Sequence, residues 1–180
     1  MINKRSLLCF IFLFILCGCD NTKDEEVLLE QVSNPNSVLS IEDFTNSGFK
    51  IVENYDVSEL ENSTDAYFGW MKDKINNPRD YELRFYDSHN SALESKNIIE
   101  EVIGENAVLA SREVSWKEGN SDRRVNRRGA GSGPGSAKAK YLHYIIFGNT
   151  VVLCEGLGLE ESEKLCASII DKVITRKEIK

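Results

Sequence analysis

The chain has 180 residues, 41% of them hydrophobic and 28% charged, with a formal net charge of −7. That length suits one domain around a single core, and so acidic a balance excludes a general nucleic-acid binder. The two histidines, His89 and His143, stand alone without metal-ligand spacing and read as structural, so neither a metal nor another cofactor is expected.

At the start, Lys4 and Arg5 are followed by an apolar stretch from Leu7 to Leu16 and a small residue, Gly18. This is the three-part layout of a secretory signal. An uncleaved membrane anchor needs about 20 apolar residues. The run here is about a dozen and ends in Gly18-Cys19-Asp20 rather than in a basic flank. The segment Leu16-Cys17-Gly18-Cys19 resembles the lipobox of bacterial lipoproteins. By that resemblance residues 1–18 are removed and Cys19 carries a diacylglyceryl group. The remaining chain, with 20 basic and 29 acidic residues, then has a net charge of about −9. The same resemblance implies a bacterial envelope protein with its domain outside the cytoplasm. Cys19 would hold it to the outer face of the cytoplasmic membrane, or to the outer membrane of a two-membrane cell.

Residues 19–47 are rich in Asn, Ser, Asp and Glu, with one weak apolar cluster at Val27, Leu28 and Leu29. They read as a lipidated N-terminus and polar tether, with a single domain spanning 48–180. Phe49 to Tyr55 reads as a first strand. Tyr67, Phe68, Trp70 and Met71 form an aromatic knot without clear period, read as core rather than as a ligand pocket. In Tyr81 to Tyr86, alternation puts Tyr81, Leu83 and Phe85 on one face and Glu82, Arg84 and Tyr86 on the other, the mark of a half-buried strand. A helix is expected next, capped by Asp87 or Ser88 and stopped at Gly104, and then a strand from Asn106 to Trp116.

The segment 117–140 has seven basic residues against two acidic ones, a net charge of about +5, around a Gly129–Ser136 run of Gly, Ser, Ala and Pro. Lys117, Arg123, Arg124, Arg127 and Arg128 are its candidate anion-binding residues, because guanidinium groups pair bidentately with phosphate and carboxylate. The alternatives are contact with anionic lipid headgroups and a solvated loop without a partner. The glycine run lacks the Gly-Lys-Ser/Thr ending of a phosphate-binding loop, and Ser132 lacks the glycine that a nucleophile elbow requires. No catalytic residue is singled out.

Tyr141–Phe147 and Thr150–Cys154 are apolar runs joined by Gly148-Asn149, a two-residue hairpin signal. Glu160 to Thr175 reads as a closing amphipathic helix. The cysteines outside the N-terminal segment are Cys154, at the end of a strand, and Cys166, about two turns into that helix. A helix folding back on its strand would bring them together as a disulfide; the alternative is two buried thiols. The order of elements argues for an α+β fold, a mostly antiparallel sheet with two main helices on one face, for which a ferredoxin-like topology is one arrangement.

Four stretches together resemble a family of predicted bacterial lipoproteins known only as a domain of unknown function. They are Asp80–Tyr86, Trp116–Gly119, Asp122–Arg124 and Phe147–Gly156. The resemblance covers roughly residues 48–175 and implies a single exported domain without assigning catalytic residues. It implies that Lys117, Arg123 and Arg124 belong to the shared domain and that Arg127 to Ser136 is a local insertion.

Two functions follow as expectations. The first is an anchored, non-enzymatic binding or assembly module whose partners are the membrane through Cys19 and either anionic headgroups or another envelope protein. The second is an envelope hydrolase or transferase holding an anionic substrate on the Arg-rich loop. A solute-capturing lipoprotein is disfavoured by size, because such proteins close two lobes on a ligand.

Overall fold

The computed structural model describes residues 29–109, 113–117, 125–126 and 138–179. In chain order the elements are β1 (Val32–Ser33), α1 (Ile41–Asn46), β2 (Lys50–Asn54), β3 (Ser63–Lys72), β4 (Pro78–Tyr86), α2 (His89–Glu94), α3 (Lys96–Glu100), β5 (Val125–Asn126), β6 (Lys138–Ala139), β7 (Tyr141–Phe147), β8 (Thr150–Glu155) and α4 (Leu159–Glu178). Six strands form one sheet in the order β1-β7-β8-β4-β3-β2, and β5 pairs with β6 in a separate ladder. Within the large sheet every pairing is antiparallel except β1 with β7. The α+β class with a mostly antiparallel sheet is therefore as expected.

The helices do not share one face. The inward side of α4, with Leu165, Ile169, Ile170 and Val173, packs with Phe44 of α1 against Tyr81, Leu83, Phe85 and Val152. Ala92 of α2 and Ile99 of α3 pack on the opposite face, against Phe68, Tyr86, Ile146, Val151 and Leu153. The reason is visible in the central strands. All six residues of β8 are buried, and so are the last six of β4, so both faces need a cover. A ferredoxin-like topology, with its helices on one side, is thereby excluded.

Three local expectations also change. The helix expected from 88 to 104 is two short ones, broken at Ser95, whose hydroxyl bonds to the Ala92 carbonyl at 2.8 Å. Ser88 caps the first by accepting from the Ser91 N–H, and Gly104 lies beyond the second at φ +77°. No strand forms in the described part of 106–116. Val114 and Trp116 are buried there as plugs on the α2–α3 face, a role that uses their bulk without requiring a ladder. The domain also begins before residue 48. In a polar context Leu39 and Phe44 are nonetheless fully buried, with the Phe44 ring edge-on to Phe85 at 5.7 Å, and β1 adds an edge to β7. The aromatic knot is β3. Its outer neighbour β2 carries a bulge, since Ile51 pairs with Gly69 and Glu53 with Phe68, leaving Val52 as an extra residue.

The Gly148-Asn149 link is a tight hairpin turn, with Gly148 at φ +59° and its backbone against the Ser37 carbonyl, a place that admits no side chain. Asn149 is buried, and its side-chain amide binds both polar groups of Leu39, accepting from the N–H at 2.8 Å and donating to the carbonyl at 3.1 Å. The same amide donates to the Tyr86 carbonyl at 3.2 Å, while the Tyr86 N–H donates to the Asn149 carbonyl. Asn149→Ala would strand several of these buried groups at once. Its expected cost is roughly 2–4 kcal/mol, read as a lower urea midpoint with an unchanged slope.

Candidate functional site

The cysteines expected to pair do so: Cys154 and Cys166 are disulfide-bonded, both fully buried, with their Cα atoms 5.6 Å apart. The first turn of α4 is fixed over the end of β8 by Ser162, whose hydroxyl donates to the Cys154 carbonyl at 2.6 Å. Closing this short loop is worth about 3 kcal/mol in the chain-entropy model. Thiol labelling of the unfolded, non-reduced protein should leave both cysteines unmodified, and labelling only after reduction checks the bridge.

Lys117 is exposed and follows buried Trp116. Arg123, Arg124, Arg127, Arg128 and Cys19 lie outside the described residues. What is described of the basic segment is its two attachment points, β5 and β6, where Val125 pairs with Ala139 and Asn126 with Lys138. Lys140 follows, ion-paired to Asp80 at 2.8 Å and lying over the Phe68 ring at 4.7 Å.

The feature that alternation misassigns is on β4. Glu82 and Arg84, read as a solvent-facing pair, are both fully buried, and Arg84 Nε donates to Glu82 Oε1 at 2.6 Å. Trp116 covers the guanidinium, its ring centroid 4.8 Å from Arg84 Cζ. The indole is held edge-on to Tyr55, and its N–H donates to the Asp56 carbonyl at 3.3 Å. The covering segment is tied down by the Ser115 N–H donating to Glu101 Oε2 at 2.9 Å. Among the described residues Glu82 Oε2 has no hydrogen-bond partner. A buried pair of this kind offsets its desolvation only while both partners remain. Arg84→Met should therefore cost roughly 3–5 kcal/mol, and adding Glu82→Gln should recover a large part of it. Urea unfolding of the two single variants and the double variant measures the coupling.

His89 Nδ1 lies 2.8 Å from the Gly148 carbonyl. Half-buried His143 is held below the ordinary histidine range by desolvation, opposed by Glu163. The Tyr144 hydroxyl donates to Glu100 at 3.0 Å, and burial together with that carboxylate raises its pKa. Among the described residues no group of three or more His, Cys, Asp or Glu side chains is placed to hold a metal ion.

Two surface hollows lie at the end of the sheet where β7 begins and β8 finishes. One, of about 590 Å³, is lined in part by Leu109, Leu142, Leu157 and Leu159, with Glu105 and Lys138 also on its wall. The other, of about 400 Å³, lies between the β3–β4 turn and the start of α4. Arg79 bridges that second hollow, bonded to Asp73 and Glu161, each at 2.9 Å. Its guanidinium is thus occupied by carboxylates of its own chain.

A family model described as a family of unknown function, DUF6810, matches residues 40–175. The chain belongs to DUF6810. No curated protein and no solved structure gives a match. The matched span of this DUF6810 chain starts at the N-cap of α1 and so takes in Phe44, the buried Glu82–Arg84 pair and the residues of both hollows.

Proposed function

We propose that this DUF6810 protein is an envelope lipoprotein, anchored through Cys19, that presents a small non-enzymatic binding or assembly domain. The observation that carries the reading is its use of cysteine. Cys19 follows Leu16-Cys17-Gly18 at the end of a short apolar stretch, where a lipoprotein is cut and acylated, and Cys154 is bonded to Cys166 in the domain beyond it. A buried structural disulfide belongs in an oxidising compartment, which is where export would deliver the domain. Two acyl chains suffice for stable anchoring, each buried methylene contributing about 0.8 kcal/mol. Among the described residues no helix is long and apolar enough to cross a membrane.

The alternative of a hydrolase or transferase rests on Arg123, Arg124 and their neighbours, which lie outside the described residues, so no observation of geometry favours it. For the anchored reading, Cys19→Ala should block acylation and leave uncut precursor. Mass spectrometry of the membrane fraction reads both effects, and normal processing of that variant would overturn the proposal.

A further inference from the structure

The hollow of about 590 Å³ at the start of β7 has walls that the fold holds in place. The Gly104 N–H donates to the Tyr141 carbonyl at 3.0 Å and the Val108 N–H to the Glu101 carbonyl at 2.8 Å, which fixes the loop after α3 against β7. The β8–α4 turn is fixed by the Leu157 N–H, which donates to Glu161 Oε2 at 2.8 Å, and by Gly156, whose backbone lies so close to Gly158 and Ser162 that no side chain fits. Leu109, Leu142, Leu157 and Leu159 reach the hollow from three segments, and Leu157 stays 78% exposed and Leu159 56%. One exposed leucine needs no explanation, whereas four leucines on a preformed hollow of the size that small ligands occupy do.

The charges of this hollow differ from those nearby. Asp73 and Glu161 share Arg79, and Asp80 has Lys140. Glu105 and Lys138 bring one carboxylate and one ammonium group to the hollow wall. Among the described residues neither side chain has an ion-pair or hydrogen-bond partner, and they do not pair with each other. A guest with a single charge would satisfy one of them and oppose the other, whereas a zwitterion satisfies both. The two ends of a short peptide carry the same charges, but a peptide also brings amide groups, which are costly against leucines unless they are bonded. The N–H groups of Gly104, Ala107 and Leu157 in this wall already donate within the chain. An acyl chain brings no such groups.

We infer that the hollow is a binding site for a zwitterionic amphiphile, its apolar chain on the leucines, its cationic group facing Glu105 and its anionic group facing Lys138. The inference rests on the reading of the domain as a binding module, and it is independent of acylation at Cys19.

A photo-crosslinking amino acid at 159 of the full chain, held in small bilayer discs, tests it. Three single-chain probes of equal chain length are compared: lysophosphatidylethanolamine, lysophosphatidylglycerol and an alkylamine. Positions 38 and 179, each 71% exposed and outside the hollow, report labelling by nearness to the disc alone. At 159 the zwitterionic probe should give several-fold more adduct than either of the others, and at 38 and 179 the three should label alike. Glu105→Gln should raise lysophosphatidylglycerol to the level of lysophosphatidylethanolamine, and Lys138→Gln should do the same for the alkylamine. Both side chains are exposed, so the fold is kept, and an unchanged melting temperature checks this. Equal labelling by the three probes at 159, the same preference at 38 and 179, or a preference untouched by both substitutions would each overturn the inference. So would loss of the adduct when trileucine, a zwitterion without an acyl chain, is added at equal concentration, an outcome that assigns the hollow to peptide ends. Mass analysis of residue 19 on the same protein reads the anchor separately. An unacylated chain that keeps the head-group preference refutes only the anchor, and an acylated chain without that preference refutes only the ligand site.

Discussion

One amide holds the far end of this fold together. The side chain of Asn149 has two hydrogen-bonding atoms, and they satisfy the backbone of Leu39 on one side and of Tyr86 on the other. Around the same turn the Gly148 N–H donates to Ser33, and the Gly148 carbonyl meets His89. Four pieces of chain that are distant in sequence (β1, the lead into α1, the end of β4 and the start of α2) therefore meet at a two-residue hairpin. Buried backbone groups need partners, and a side-chain amide supplies them where no strand or helix does. Both this clamp on Leu39 and the burial of Phe44 against Phe85 hold α1 in place.

The opposite face is organised differently. There a charge pair lies where an apolar pair would cost less to bury, and a tryptophan stacks on it. The cover reaches Trp116 from α3 through the Ser115–Glu101 bond, so the irregular chain after α3 is held by polar contacts at its rim and by aromatic packing at its centre. The disulfide under α4 does the corresponding work on the first face.

How far the sequence revealed this depends on which signals are local. The hairpin at Gly148-Asn149, the alternation of β4, the length of α4 and the pairing of Cys154 with Cys166 are all set by neighbours within a dozen or so residues, and all are legible. Alternation in β4 cannot say whether its polar face meets water or a second layer, because Glu82 and Arg84 look the same in either setting. Val38, Leu39, Ile41 and Phe44 are scattered in a polar stretch, and which of them is buried depends on contacts distant in sequence, such as Leu39 with Asn149 and Phe44 with Phe85. Val114 and Trp116 show alternation without forming a strand: both side chains are buried in the cluster on the α2–α3 face, and burial alone gives alternation no ladder partner. Of the candidate site, Lys117 and the two paired cysteines are placed. The leucines of the first hollow give no joint signal in the sequence, because Leu109, Leu142 and Leu157 belong to three separate segments.

The bulge in β2 has a consequence for how copies of the molecule coexist. An outermost strand normally offers a free template to any extended chain that meets it. Here the extra residue, Val52, breaks the regular spacing of that border, and on the other flank β1 covers only the last part of β7. On the β2 side an incoming strand could not keep one unbroken register along the border, so the edge that remains straight is the part of β7 ahead of Ile146.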